Sequence, residues 1–443
     1  MNHSFLNGPK AKAPALASSA TPVAVPSIGT TKYDLDKMPR IDCGEFPIGK
    51  QKNIGELRYA GFSAQADAIA ELPEGYEAEL AFFLRVVQAK GMIVQTTVPF
   101  VNAVLGEPTT ECIFHPGSKE VLMGLPGFPQ AMVKRIGKKS PVVVKEASGM
   151  GLGVFATRGI KAGELILSER PLLVVGHSLP TPVPLSWTRA QTAQCSLDQR
   201  EKILAVAVDR MSDEDKAAYL CRGLCGVCKM ISRFNHSCSP NVTAKWNMIT
   251  FSFHVFAVRN IAADEELTLQ YIPIELSTAE RNEQLKPYDF VCTCRSCKDP
   301  ESDARRAELN RRCPPTIIIP AWLTRKSSLA DSHILNECRQ QMDILEREGM
   351  ESVVRCFNVS AAGFLVCLAM GDADRASAWA GRLARIRWVQ EVPKDIDSFL
   401  DPKSRAYKDG DSEEGLDVMT REFAAMGLQE PPSLEELMSG LLV

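Results

Sequence analysis

Arg233-Phe234-Asn235-His236-Ser237-Cys238-Ser239-Pro240-Asn241 gathers amides, an imidazole, a thiol and two hydroxyls into one short stretch, and Pro240 keeps that stretch out of a helix. Further on, Glu266-Leu267-Thr268-Leu269-Gln270-Tyr271 reads as part of a strand over 267–272. Then Cys292-Thr293-Cys294-Arg295-Ser296-Cys297 brings three thiols close together in sequence. A closed structural zinc site wants four tetrahedral ligands, so this cluster lacks one ligand locally. Upstream, Gly149-Met150-Gly151-Leu152-Gly153-Val154-Phe155-Ala156 runs on to Gly159, Ile160, Gly163 and Glu164.

These four blocks, in this order, resemble the core of SET-domain protein lysine methyltransferases. The resemblance spans Lys145 to Lys298, about a third of the chain. It implies an α+β fold: a SET domain of short β-sheets with a helical insertion, a zinc-binding post-SET segment and an α-helical C-terminal domain. Within the family, the layout is closest to the subfamily that joins SET and post-SET to a helical C-terminal domain. The MYND zinc finger of that subfamily is not expected here.

The resemblance also assigns roles. S-adenosylmethionine would be held by Gly151, Leu152, Gly153, Asn235, His236, Tyr271 and Phe290, with Asn235 and His236 acting largely through backbone groups and the Asn amide. Tyr271 is the expected catalytic residue, its hydroxyl beside the transferred methyl and the acceptor amine. Cys238 would join Cys292, Cys294 and Cys297 as the fourth zinc ligand. Arg233 and Asn241 are expected to fix the local backbone, and Glu266 to brace the strand. The sequence departs from the family at Asp264, where Gly is common, and at Gln270, where Asp or Ser is frequent.

The glycine block could instead announce a Rossmann-type turn, but Gly159, Gly163 and the β-like run at Leu165 leave no room for the helix such a turn must open. Methyl transfer needs a neutral amine, and a lysine of pKa about 10.4 is only ~0.04% neutral at pH 7, a penalty of about 4.6 kcal/mol. A dry channel and a nearby sulfonium both lower that pKa. In-line positioning supplies much of the rest without a dedicated base.

Composition sets the surroundings. The chain has 443 residues, 45% of them apolar, enough for two or three domains with their own cores. A net charge of −3 gives no global attraction to nucleic acid. The basic pairs Lys134-Arg135, Lys138-Lys139, Arg305-Arg306 and Arg311-Arg312 read as solvated faces. Fourteen cysteines without a secretory signal favour a reducing compartment, nucleus or cytoplasm, and no apolar run is long enough for a spanning helix.

The domain plan follows from pattern. Residues 1–32 contain no acid and read as a disordered tail. Residues 33–140 are partly helical, with a helix over 74–90 stopped by Gly91, a β-rich stretch over 93–100 and irregular connections from 106 to 129. The SET domain occupies 141–272, with strands at 142–144, 154–156, 165–167, 172–175 and 249–258. Its insertion, about 176–228, holds two helices opened by Ser196-Leu197-Asp198-Gln199 and Ser212-Asp213-Glu214-Asp215. The zinc segment is 273–299. Residues 300–443 are helical, with stripes at Ile334, Leu335, Cys338, Met342 and Leu345, at Val353, Val354, Phe357, Ala361, Phe364, Leu365 and Leu368, and at Ala376, Trp379, Leu383 and Ile386. Cys221, Cys225 and Cys228, with Cys195, read as buried or incidental thiols rather than a second metal site.

The expected partner is a protein or peptide bearing a lysine, histone or not, with no membrane and no direct nucleic-acid contact. A further protein partner on the C-terminal helices is open. The competing reading is a catalytically weak SET-fold scaffold or chromatin adaptor.

Overall fold

Leu80, Leu84 and Val87, spaced for one helical face, are buried on the first helix, α1 (Tyr76–Ala89), which ends at a left-handed Gly91, as the sequence predicts. The computed structural model describes residues 74–99, 107–133, 139–147, 150–176, 187–220, 228–288, 290–312, 331–387, 392–393, 395–407, 415, 418–419 and 421–422. The tail 1–32, Gly149, Cys221, Cys225 and the basic residues Lys134, Arg135 and Lys138 lie outside them.

After α1 come β1 (Val94–Val98), β2 (Thr110–Phe114), α2 (Ser118–Met123), β3 (Val142–Ala147), β4 (Gly151–Ala156), β5 (Leu165–Glu169) and β6 (Leu173–Val175). Next are α3 (Arg189–Asp209), α4 (Asp213–Leu220), β7 (Asn235–His236), β8 (Val242–Asn247), β9 (Ser252–Ala257) and β10 (Glu266–Leu269). The described remainder is largely helical: α5 (Thr278–Leu285), α6 (Arg295–Lys298), α7 (Ser302–Arg311), α8 (Asp331–Glu348), α9 (Val354–Ala369) and α10 (Ala373–Arg385).

The strands form three small sheets, ordered β1-β2-β6, β3-β4-β10-β7 and β5-β9-β8. The first joins residues on both sides of position 140, because β2 pairs in parallel with β6. Its central strand, with all five residues buried, falls in the region whose Gly and Pro content predicts irregular connections, so that expectation is corrected. Thr-Glu-Cys does not look like a core strand. It is one here because Glu111 is taken by Arg210 at 2.9 Å and Thr97 at 2.7 Å, and Thr110 donates to the Pro171 carbonyl at 2.7 Å.

Two more expectations need correction. The strand expected over 249–258 is only the second arm of a hairpin: β8 was missed, and Phe251, at φ +50°, lies in the turn before β9. The helix expected to start at Ser196 starts at Thr188, whose side chain and that of Gln191 form a reciprocal capping box. Ser212 does cap α4, accepting from the Asp215 amide at 3.1 Å.

In the C-terminal region every residue of the three predicted stripes except Val354 is buried. α9 is buried nearly all round, from Cys356 to Leu368. A Cβ on Gly363 would enter the Trp379 ring, so glycine is what lets α9 and α10 approach. This helical core is continuous with Cys238, Val258, Ile272 and Cys292, and Tyr271, Tyr288 and Phe290 pack against it.

Candidate functional site

Asn235 and His236 form a two-residue strand that pairs in parallel with Thr268 and Leu269, and the Ser237 amide extends the ladder to the Leu269 carbonyl at 2.9 Å. Asn241 completes the crossing. Its amide nitrogen donates to the Glu266 carbonyl at 2.7 Å and Glu265 Oε1 at 3.0 Å, while its oxygen accepts from the Thr268 amide at 2.8 Å. Two segments distant in sequence are thus locked side by side by a buried asparagine that replaces missing ladder bonds.

That crossing delivers Tyr271. Its hydroxyl donates to the Phe234 carbonyl, and its backbone amide donates to His236 Nδ1 at 3.1 Å. Because Nδ1 accepts, Nε2 carries the proton and points at Cys238 Sγ, 3.3 Å away. Burial holds the imidazole neutral, lowering its pKa to about 4. With both nitrogens committed, His236 has no lone pair to offer a substrate proton. The ring also packs on Tyr271 at 5.3 Å and Phe290 at 6.0 Å between centroids, and Tyr288 lies 5.2 Å from Tyr271.

The glycine block meets the same crossing from the other side. Gly151 has φ +71°, which a side chain rarely tolerates. Gly153 makes a close approach: a Cβ there would strike the Glu266 carboxylate, and would lie 3.0 Å from both Ala147 and the Asn235 amide. The Asn235 amide donates to Glu266 Oε1 at 2.7 Å and to the Leu152 carbonyl at 3.4 Å. Glu266 therefore braces Asn235, and this glycine makes room for that brace. Asp264, at the family's glycine position, adopts φ +64°, a conformation that aspartate tolerates better than most residues, and its carboxylate lies 3.6 Å from Lys145.

The Sγ atoms of Cys238, Cys292, Cys294 and Cys297 all lie within 4.8 Å of one another. Cys238 is 3.9 Å from Cys292 and 3.6 Å from Cys297. Four sulfurs at about 2.3 Å from a tetrahedral zinc stand about 3.8 Å apart, so the group fits that ion. As bare thiols the four compete. Contact with Cys292 drives Cys238 well above the usual thiol range, while the hydrogen bond from Cys238 holds Cys294 well below it and Cys297 is lowered to about 6. A dication resolves that competition by letting all four ionise. Arg281, fully buried, donates to Cys297 Sγ at 3.7 Å and partly offsets the negative charge.

Every predicted site residue in the described set is therefore gathered around one crossing. Sequence reading missed Tyr288, whose aromatic character two residues before Phe290 was the available signal. It also misread Arg305-Arg306 as a solvated pair: Arg306 is 1% exposed and bonded to Glu348 at 3.0 Å. Of the thiols set aside, Cys195 and Cys228 are buried, and Cys195 accepts from Gln199 at 3.3 Å.

Residues 151–272 match the SET domain family. The histone-lysine N-methyltransferase set5 of Schizosaccharomyces pombe is 29% identical over 191 residues, 40% of this chain and 58% of that protein. The N-lysine methyltransferase SMYD2-B of Xenopus laevis is 27% identical over 169 residues, 35% of this chain and 39% of its own length. Human SMYD2 is 26% identical over 174 residues, with the same two shares. The chain thus spans less than two thirds of each of these relatives.

Proposed function

We propose that this chain, which carries a SET domain at residues 151–272, is an S-adenosylmethionine-dependent protein lysine N-methyltransferase acting on a histone or non-histone protein. The observation that carries the reading is the crossing itself. Parallel pairing of Asn235-His236 with Thr268-Leu269 sets Tyr271 against the Phe234 carbonyl, among His236, Tyr288 and Phe290. The relatives' lysine methyltransferase names agree with it in class.

When bound, S-adenosylmethionine supplies an electrophilic methyl on a sulfonium. Gly151, Leu152, Gly153, Asn235, His236 and Phe290 are the residues that would hold it. Tyr271, its phenol tethered to a backbone carbonyl, orients the acceptor nitrogen, and the rings of Tyr288 and Phe290 exclude water that would stabilise an ammonium. Cys238, Cys292, Cys294 and Cys297 would hold a structural zinc that ties the segment after the SET domain to the Asn235–Asn241 loop.

The substrate is a protein lysine rather than a nucleic acid. Arg305 and Arg306 are engaged by Asp299 and Glu348, and Arg312 by Glu308 and Glu337, so of these two basic pairs Arg311 alone, itself beside Glu308, is largely exposed to solvent. All ten described cysteines are free of disulfides, consistent with nucleus or cytoplasm. No helix among the described residues is long and apolar enough to cross a membrane.

The test is transfer of a labelled methyl group from S-adenosylmethionine to proteins of an extract. The wild-type chain should label discrete proteins, with label stable to base as expected of methyl-lysine, and Tyr271→Phe should lower the rate at least a hundredfold while keeping cofactor affinity. Equal labelling by both chains would remove Tyr271 from the chemistry. No labelling by a cofactor-bound chain would overturn the enzyme reading.

A further inference from the structure

The end of α8 meets the cysteine-bearing loop through a chain of buried polar contacts. Glu348 Oε2 accepts from Ser302 Oγ at 2.5 Å and from Arg306 Nε at 3.0 Å, while Oε1 accepts from Arg305 Nε at 2.6 Å. Arg306 in turn donates through Nη2 to the Cys238 carbonyl at 3.0 Å. Glu348 and Arg306 are each 1% exposed.

The backbone around Glu348 is pinned to α6 and, through Ser239, to the same loop. Ser296 Oγ donates to the Glu348 carbonyl at 3.3 Å. Arg295 Nη2 donates at 3.1 Å both to Ser239 Oγ and to the Arg347 carbonyl. Gly349 has φ +65°, and a Cβ on it would run into the Ser239 hydroxyl. Ser352 Oγ donates to Gln270 Oε1 at 3.0 Å, next to Tyr271.

A carboxylate and a guanidinium this deep lose their hydration, and a pair of well-packed apolar residues could fill the same volume at no loss of stability. What the pair supplies that apolar residues could not is a directed hydrogen bond to one carbonyl. We propose that Glu348 is a positioning residue: through Arg306 it fixes the Cys238 carbonyl, so that the C-terminal helices hold the fourth thiol of the metal cluster in register. The proposal rests on the reading of the four cysteines as a zinc site.

The experiment is the rate at which the full chain, loaded with one equivalent of zinc, surrenders the metal to excess colorimetric chelator. Glu348→Gln should release zinc at least tenfold faster than wild type. Ser302→Ala, a milder change that keeps both charges, should release it about threefold faster and carries the test if the charge variant does not fold. Glu348→Gln combined with Arg306→Met should be no faster than Glu348→Gln alone, because both act on one carbonyl. Glu337→Gln, which breaks a different ion pair on α8, should release zinc at the wild-type rate.

Wild-type release rates in folded Glu348→Gln and Ser302→Ala would overturn the proposal. So would equal acceleration by Glu337→Gln, which would mean general loosening of the helices. A wild-type chain that binds no zinc would overturn the metal reading itself, an outcome seen before any variant is compared.

Discussion

The crossing around Asn235 and the helices around Phe364 both have buried centres, yet they are held by opposite means. At the crossing, Asn235, His236 and Asn241 are at most 4% exposed and each is fixed by individual hydrogen bonds. On α9, Phe357, Phe364, Val366 and Cys367 are just as buried and are held by contact area. Hydrogen bonds specify single atoms, whereas apolar packing specifies volume and tolerates repacking. The lesson is that equal losses of stability in the two regions should have unequal consequences for the site.

The largest expected effect comes where the crossing meets the metal. Cys294→Ser should lower bound zinc from about one per chain to near zero and lower the melting temperature by roughly 10 °C or more, since structural zinc binding is itself folding free energy. Metal analysis and calorimetry check it.

Next is a matched pair. Asn241→Ala leaves the Thr268 amide without its partner and removes the side-chain donor to the Glu266 carbonyl, and should cost about 3 kcal/mol in denaturant unfolding together with most of the cofactor affinity. Leu365→Ala should cost a similar ~3 kcal/mol and leave cofactor affinity within about twofold. Equal loss of affinity in both variants would erase the distinction between the regions.

Gly363→Ala pushes a methyl into Trp379 and should cost about 1–3 kcal/mol, again without loss of cofactor binding.

The last effect is a pH dependence. Burial raises the Glu351 carboxyl to about 7, and its Oε2 has no hydrogen-bond partner among the described residues. The folded chain therefore binds a proton that the unfolded chain releases near pH 4.3. Its contribution is full below about pH 4.3 and fades as pH rises through about 7. Glu351→Gln should flatten that decline, by at most about 3 kcal/mol between pH 5 and 8, measured by urea unfolding at each pH.

How much was legible in the sequence follows the same division. The stripes of α8 to α10 could be read directly, because area-driven helices repeat their apolar residues at a fixed period. So could Cys238, Cys292, Cys294 and Cys297, through the family's order of blocks. β2 was not legible: Thr110 and Glu111 are core residues only because Pro171 and Arg210, far along the chain, satisfy them. Nor was the true start of α3, since Ser196 and Thr188 offer similar capping chemistry and only the folded chain chooses. Glu348 and Arg306 were invisible for the same reason, each being an ordinary surface residue until the other arrives.

The most direct test of the central claim is calorimetric titration of the zinc-replete chain with S-adenosylhomocysteine, alongside Asn241→Ala. The account predicts saturable binding near one equivalent for the wild-type chain and little or none for a variant that remains folded. A folded, zinc-loaded wild-type chain that takes up no S-adenosylhomocysteine would contradict it.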